Sequence, residues 1–136
     1  MVKIKKKKLI IIKNQKGNIL KIGPDFDISK YKDIYFSELK KNQIKAWKYN
    51  NSYSQNIVVI AGSIKIACFK TIGKNKIKIF KLDNKKNFSM ISIPKSIWYG
   101  FKNCYNGKSI IVNFIKKKYN NSSSKIMLYE KFKINW

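Results

Sequence analysis

The sequence contains no histidine and no arginine; all 31 of its basic residues are lysine. The missing histidine removes the side chain that most often serves as general base, proton shuttle or metal ligand near neutral pH. With it go the Ser/His/Asp and Cys/His nucleophile arrangements. The missing arginine removes the bidentate fork on which phosphate- and base-selective proteins rely. Acids are scarce too: Asp25, Asp27, Asp33, Glu38, Asp83 and Glu130. Their one close pair, Asp25 and Asp27, follows Pro24 in a loop-like stretch, which argues against a glycosidase dyad. Cys68 and Cys104 are too few to staple a chain of 136 residues, so two free thiols in a reducing cytoplasm are expected. There is no Cys-x-x-Cys and no Gly-rich phosphate loop. No apolar run reaches the ~18 residues of a membrane-spanning helix. The opening is basic and then apolar, but Leu9-Ile10-Ile11-Ile12 is too short for a secretory signal. Residues 1–15 therefore read as a basic segment leading into a first strand.

The formal charge is +25. A charge this large ordinarily points to nucleic acid, because neutralised phosphates release counterions. Here lysine is spread along the whole chain, with true runs only at 5–8 and 116–118. Asn, Ile, Lys, Tyr and Phe are abundant while Arg, Ala, Gly and Pro are scarce. Genome-wide preference for AT-rich codons produces that pattern, and nucleic acid is not the expected partner.

The periodicity is that of strands. Segments 18–22, 33–39, 43–49, 56–61, 63–69, 76–82, 88–93 and 109–115 are short, β-branched or aromatic, and mostly alternating. Gly62, Gly73 with Asn75, Asn84 and Gly107 punctuate them at hairpin-like intervals. No helix of three turns is expected. Segment 116–125 reads as a loop, and 124–132 fits either a short helix or an edge strand. Many short strands with regular turns mean one all-β domain, a sandwich or barrel, over residues 16–136.

Two stretches follow the spacing of the cupin signature with other residues at the ligand positions. Lys48-Tyr49-Asn50, Gln55 and Gly62 stand where the signature has His-x-His, Glu and Gly. Pro94 through Tyr99, then Asn103, stand where it has Pro-x-Gly-x-x-His-x-x-x-Asn. Lys, Asn, Gln and Tyr supply neither imidazole nor carboxylate, so no metal is expected. Asp33 through Leu39, Gln43 through Tyr49, Gln55 through Val59, Ile93 through Asn103 and the closing Ile134-Asn135-Trp136 resemble dTDP-4-dehydrorhamnose 3,5-epimerase-like cupins. The length and Gly17-Asn18 are also similar to the dTDP-sugar 3,4-ketoisomerases on the same barrel.

The resemblance implies a jelly-roll β-barrel, a homodimer without cofactor, and a nucleotide-diphosphate sugar as ligand, used in surface-polysaccharide assembly. Members of that family deprotonate the carbon beside a 4-keto group with a histidine, and a tyrosine opposite acts as acid. Such chemistry needs a base and donors that stabilise the enolate. Lys48 holds the histidine's position, either as base or enolate-stabilising cation, or as a solvated lysine on an outward face. Tyr99, in the place of an inward histidine, is expected to line the pocket. Lys45, Asn50, Gln55 and Asn56 are candidate sugar or phosphate contacts, each with a plain structural role as the alternative. The family tyrosine falls near Asn113, with Tyr119 the nearest substitute. Strand alternation places Trp47 opposite in sense to Lys48, outward and toward a dimer interface unless a bulge intervenes. Trp98 and Phe101 read as packing residues and Asn103 as a turn cap.

Overall fold

The computed structural model of the protein describes residues 3–73, 76–117 and 124–136. In chain order its strands are β1 (Lys5–Lys8), β2 (Ile10–Ile12), β3 (Ile19–Lys21), β4 (Asp33–Leu39), β5 (Ile44–Asn50), β6 (Gln55–Ala61), β7 (Ser63–Phe69), β8 (Lys78–Asp83), β9 (Ser89–Ile93), β10 (Ile97–Asn103), β11 (Ser109–Ile115) and β12 (Ser124–Ile126). Two five-stranded antiparallel sheets face each other, in the orders β1-β9-β6-β11-β4 and β12-β5-β10-β7-β8. This is a cupin jelly roll. The third pair, β2 with β3, is a small separate hairpin.

Alternation along the strands sorts the apolar residues into three cores. Between the sheets lie Leu39, Ile57, Val59, Ile64, Ile66, Leu82, Ile91 and Ile111, all fully buried. Each such side chain contributes roughly 1.5–3 kcal/mol when removed from water. The outer face of the first sheet, with Val58, Met90, Val112 and Phe114, is covered by Leu9, Ile11, Leu20, Phe26 and Tyr31 from the N-terminal hairpin and the segment after it. The outer face of the second, with Trp47, Ala67 and Phe69, is covered by Met127, Tyr129, Phe132, Ile134 and Trp136.

The basic run is itself strand. Lys5 through Lys8 pair with Ser92 through Ser89, every side chain exposed. An edge strand is held by its backbone ladder, and lysine there discourages pairing with another chain. The 124–132 segment takes a form close to each expectation: edge strand β12 pairs with β5, then a single 3-10 turn spans Tyr129–Lys131. Ile97–Asn103 was not among the expected strands, because Gly100 interrupts its apolar pattern, yet it is central in its sheet.

One end of the barrel is tied by Asn103. Its Nδ2 donates to the carbonyls of Leu39, Lys40 and Gly107 at 3.0, 3.0 and 2.8 Å. Its Oδ1 accepts from Tyr105 N at 3.0 Å and from Ser109 Oγ at 2.8 Å. Gly62 meets the same knot with φ at 86°. A Cβ there would stand 2.1 Å from Ser109 Oγ. The two acids after Pro24 are structural: Asp25 pairs with Lys7 at 3.7 Å, and Asp27 accepts from the Ser29 amide and hydroxyl to cap a short 3-10 turn.

Candidate functional site

The site begins with a register shift between β5 and β10. Asn50, Tyr49 and Lys48 oppose Ile97, Trp98 and Tyr99 in order, but Phe101 opposes Lys45. Two residues, Ala46 and Trp47, therefore stand against the single Gly100, which is a β-bulge. A Cβ on Gly100 would lie 2.6 Å from Ala46 Cβ and 2.8 Å from Trp47 Cε3, so glycine fits and larger residues do not. Without the bulge, Lys45 and Lys48 would face opposite sides of the sheet. With it, both face the space between the sheets.

Trp47 points outward, as alternation with Lys48 requires. It meets its own chain there rather than a partner, with only 1% of its surface exposed. Its indole stacks on Trp136 at 5.7 Å and 12°, packs edge-on against Phe69, and donates from Nε1 to Phe132 O at 2.7 Å. Paired backbone bonds with Met127, at 2.7 and 3.0 Å, hold the bulge from the other side. The expected dimer-interface role for Trp47 is thus corrected: the C-terminal segment occupies that face.

Lys45, Lys48, Tyr99 and Phe101 line a cavity of about 330 Å³. Asn113 on β11 and Tyr35 and Ser37 on β4 form the opposite wall, and Ile126 of β12 stands at the rim. Lys48 and Tyr99 are directly paired residues, which puts their Cβ atoms about 5 Å apart. Tyr99 is buried, its ring 5.6 Å from that of Phe101. Lys45 is exposed, and its Nζ donates to Glu38 O at 2.7 Å, reaching from β5 to the edge strand β4 of the other sheet. None of the six acids lines the cavity.

The structure brings together some of the sequence-derived candidates and separates others. Lys45, Lys48, Tyr99 and Asn113 share the cavity. Gln55 stands behind its wall, accepting from Asn113 Nδ2 at 3.0 Å. Asn113 Oδ1 is buried without a hydrogen-bond partner. An acceptor left so costs roughly 1–3 kcal/mol. Asn50 is buried, its Oδ1 taken by the amides of Ser52 and Tyr53 at 2.7 and 3.3 Å, with Nδ2 unpartnered. Asn56 lies on the other face of its sheet, bonded to Tyr31 and Ser92, away from the cavity. Burial there raises the Tyr31 phenol above its ordinary value against the lowering effect of the Asn56 bond. Tyr119 lies outside the described residues.

Trp98 and Phe101 are packing residues as expected, Trp98 outward against Tyr49 and Phe69 and Phe101 in the central core. Tyr35 and Ser37 went unassigned in the sequence. The signal was present, since in the strand 33–39 odd-numbered positions share one face, but nothing marked that face as the cavity wall.

The lining chemistry is narrow. Two ammonium groups, two phenols, a hydroxyl and an amide can bind an anionic, polyhydroxylated ligand. Among the described residues, no three of His, Cys, Asp and Glu come together as a metal site. Lys45, Lys48, Tyr35 and Tyr99 are the ionisable lining groups.

No protein-family model and no curated protein matches the sequence. Solved structures do match the fold. A dTDP sugar isomerase from Desulfovibrio desulfuricans superposes with a TM-score of 0.83 at 21% identity, covering 98% of this chain and 90% of that one. dTDP-6-deoxy-D-glucose-3,5-epimerase from Legionella pneumophila, in complex with dTDP-4-keto-L-rhamnose, gives 0.77 at 16% identity, with 98% and 78% covered. A sugar 3,4-ketoisomerase from Thermoanaerobacterium thermosaccharolyticum in complex with TDP gives 0.70 at 18%, with 94% and 90% covered. The chain has the cupin fold of the dTDP-sugar epimerases and ketoisomerases.

Proposed function

We propose that this protein acts on a nucleotide-diphosphate sugar bearing a 4-keto group, as an epimerase or ketoisomerase, with Lys48 where a histidine base is usual. The observation that carries the reading is the convergence of Lys45, Lys48 and Tyr99 in one cavity of a barrel whose structural neighbours include complexes with dTDP sugars. A cavity of about 330 Å³ is at the lower end of small-ligand pockets. It suits the hexose, with the nucleotide reaching toward the rim. Lys45 holds the diphosphate, Tyr99 orients the sugar, and Asn113 with Gln55 behind it accepts from a ring hydroxyl. Lys48 takes the proton beside the carbonyl or stabilises the enolate. In this reading the protein is a cytoplasmic homodimer serving surface-polysaccharide synthesis.

The rival within the same site is a cupin that binds the sugar without turning it over, which the absent imidazole favours. Proton–deuterium exchange at C3 and C5 of a dTDP-4-keto-6-deoxyhexose separates the two. Exchange above background supports the enzyme. Saturable dTDP binding without exchange supports the binding protein, and no binding at all removes both.

One observation favours a reading of another class, a basic nucleic-acid-binding barrel. Lys102, Lys65 and Lys81 stand in register across β10, β7 and β8. Like charges directly opposed are unfavourable unless an anion lies over them. Salt-dependent binding to mixed-sequence DNA tests it, and a failure to bind at about 50 mM salt ends it.

A further inference from the structure

The cavity holds two lysines on strand positions that regular alternation would send to opposite faces. A lysine amine set against a phenolic proton donor in one cavity is placed to attack a carbonyl bound there. In the class of substrate proposed above, the group next to the reacting carbons is a ketone. We infer that Lys48 acts covalently, forming an imine with the 4-keto group, and that this chemistry replaces the imidazole base the chain lacks. The inference rests on the reading that the cavity takes a nucleotide-linked 4-keto sugar.

The reaction balances without an oxidant, reductant or cofactor. Neutral Nζ of Lys48 adds to C4, the carbonyl π pair moves to oxygen, and a proton passes from nitrogen to that oxygen. The Tyr99 hydroxyl supplies the one further proton with which the C4–O bond breaks and water leaves. That gives a protonated imine on Lys48 and a phenolate on Tyr99. The phenolate takes the proton from C3 or C5, and the released pair flows toward nitrogen as a neutral enamine. Water at the cavity mouth then protonates the same carbon on its other face. The hydroxide left behind adds to C4, and collapse of that adduct releases the epimerised ketone and the free amine.

The arrangement provides what these steps need. Lys48 and Tyr99 are directly paired across β5 and β10, so amine and phenol approach one carbonyl from adjacent strands. Lys45 lines the same cavity, with its Nζ bonded to Glu38 O at the exposed edge of β4. A cationic imine withdraws electrons from the neighbouring carbon more strongly than a ketone does, so a weaker base than imidazole is enough.

The test is reductive trapping. The full chain is incubated with dTDP-4-keto-6-deoxyglucose, sodium borohydride is added, and the adduct is located by peptide mass mapping. In parallel, dTDP binding is measured by calorimetry. Supporting the inference, the adduct forms on Lys48, is suppressed by excess dTDP, and is lost in Lys48→Arg, which keeps the cation and the dTDP binding. The exposed-site variant Lys85→Ala retains it. Saturable dTDP binding with adducts scattered over many lysines, or with none, overturns the imine and leaves the binding site standing. Neither adduct nor dTDP binding overturns the inference together with the reading beneath it.

Discussion

Gly100 lies against the edge of the Trp47 indole with no room for a methyl group between them; a Cβ would meet Trp47 Cε3 at 2.8 Å and Cζ3 at 2.9 Å. The glycine thus permits the bulge, the bulge turns Lys45 and Lys48 to one side, and the C-terminal aromatics hold Trp47 in place behind them.

Gly100→Ala is expected to force the indole or strand β5 aside. Overpacking of this kind costs about 1–3 kcal/mol. The denaturation midpoint falls by that equivalent, and dTDP binding weakens further than the lost stability explains. A variant of unchanged stability and unchanged affinity would show that the bulge does not depend on this contact.

Lys45→Ala removes a cation from the cavity together with a bond to an edge-strand carbonyl. A charge-assisted contact to phosphate is worth about 1.5–3 kcal/mol, so dTDP affinity is expected to drop roughly tenfold or more. Calorimetry in low and moderate salt measures it. If affinity is unaffected, the diphosphate lies elsewhere.

Cys68 sits in the central core, and burial pushes its thiol up to about 12, whereas Cys104 is exposed. At about pH 8 a thiol reagent is expected to modify one cysteine in the folded protein and both in denaturant. The sign for stability follows. Unfolding frees Cys68 to ionise at its ordinary value, so its contribution is full below that value and is lost as pH rises through the alkaline range. Rapid modification of both thiols in the native protein contradicts the placement of Cys68.

Asp83 has the opposite sign. Burial opposes its charge, but bonds from the Asn87 side chain and the Asn87 and Lys85 amides outweigh that, and with Lys81 nearby they hold the carboxyl below its ordinary range. Its contribution is present above the ordinary carboxylate value and is lost as pH falls through the depressed one. Asp83→Asn is expected to reduce the acid dependence of stability between about pH 5 and about pH 2. Parallel acid-unfolding curves for the two proteins would contradict this.

The strands of this fold were legible where one face meets the core and the other meets solvent or a separate cluster. The segments 33–39, 63–69 and 109–115 are bounded in the structure as the alternation bounds them. The pattern failed where side chains do not decide the state. Lys5–Lys8 is a strand because of its backbone partner β9, which no periodicity in four lysines reveals. The site shows the same division. Lys48, Lys45, Tyr99 and Asn113, singled out from spacing and resemblance, line one cavity, while Asn56, one residue from Gln55, falls on the opposite face. The bulge itself was not legible, because Trp47 and Lys48 keep the opposed senses of regular alternation and the shift shows only in the relation of Lys45 to Lys48. Its position could not be read, because it depends on Gly100, which is distant in sequence from both.

The bulge also means that the chemistry of this cavity depends on counting as well as on composition. Both lysines could be kept, and the loss of one position between 45 and 48 would still turn one of them to the other face of its sheet. Single-residue insertions and deletions at this point are therefore a distinct route, separate from substitution, by which such a barrel gains or discards reactive groups while its folded outline stays the same.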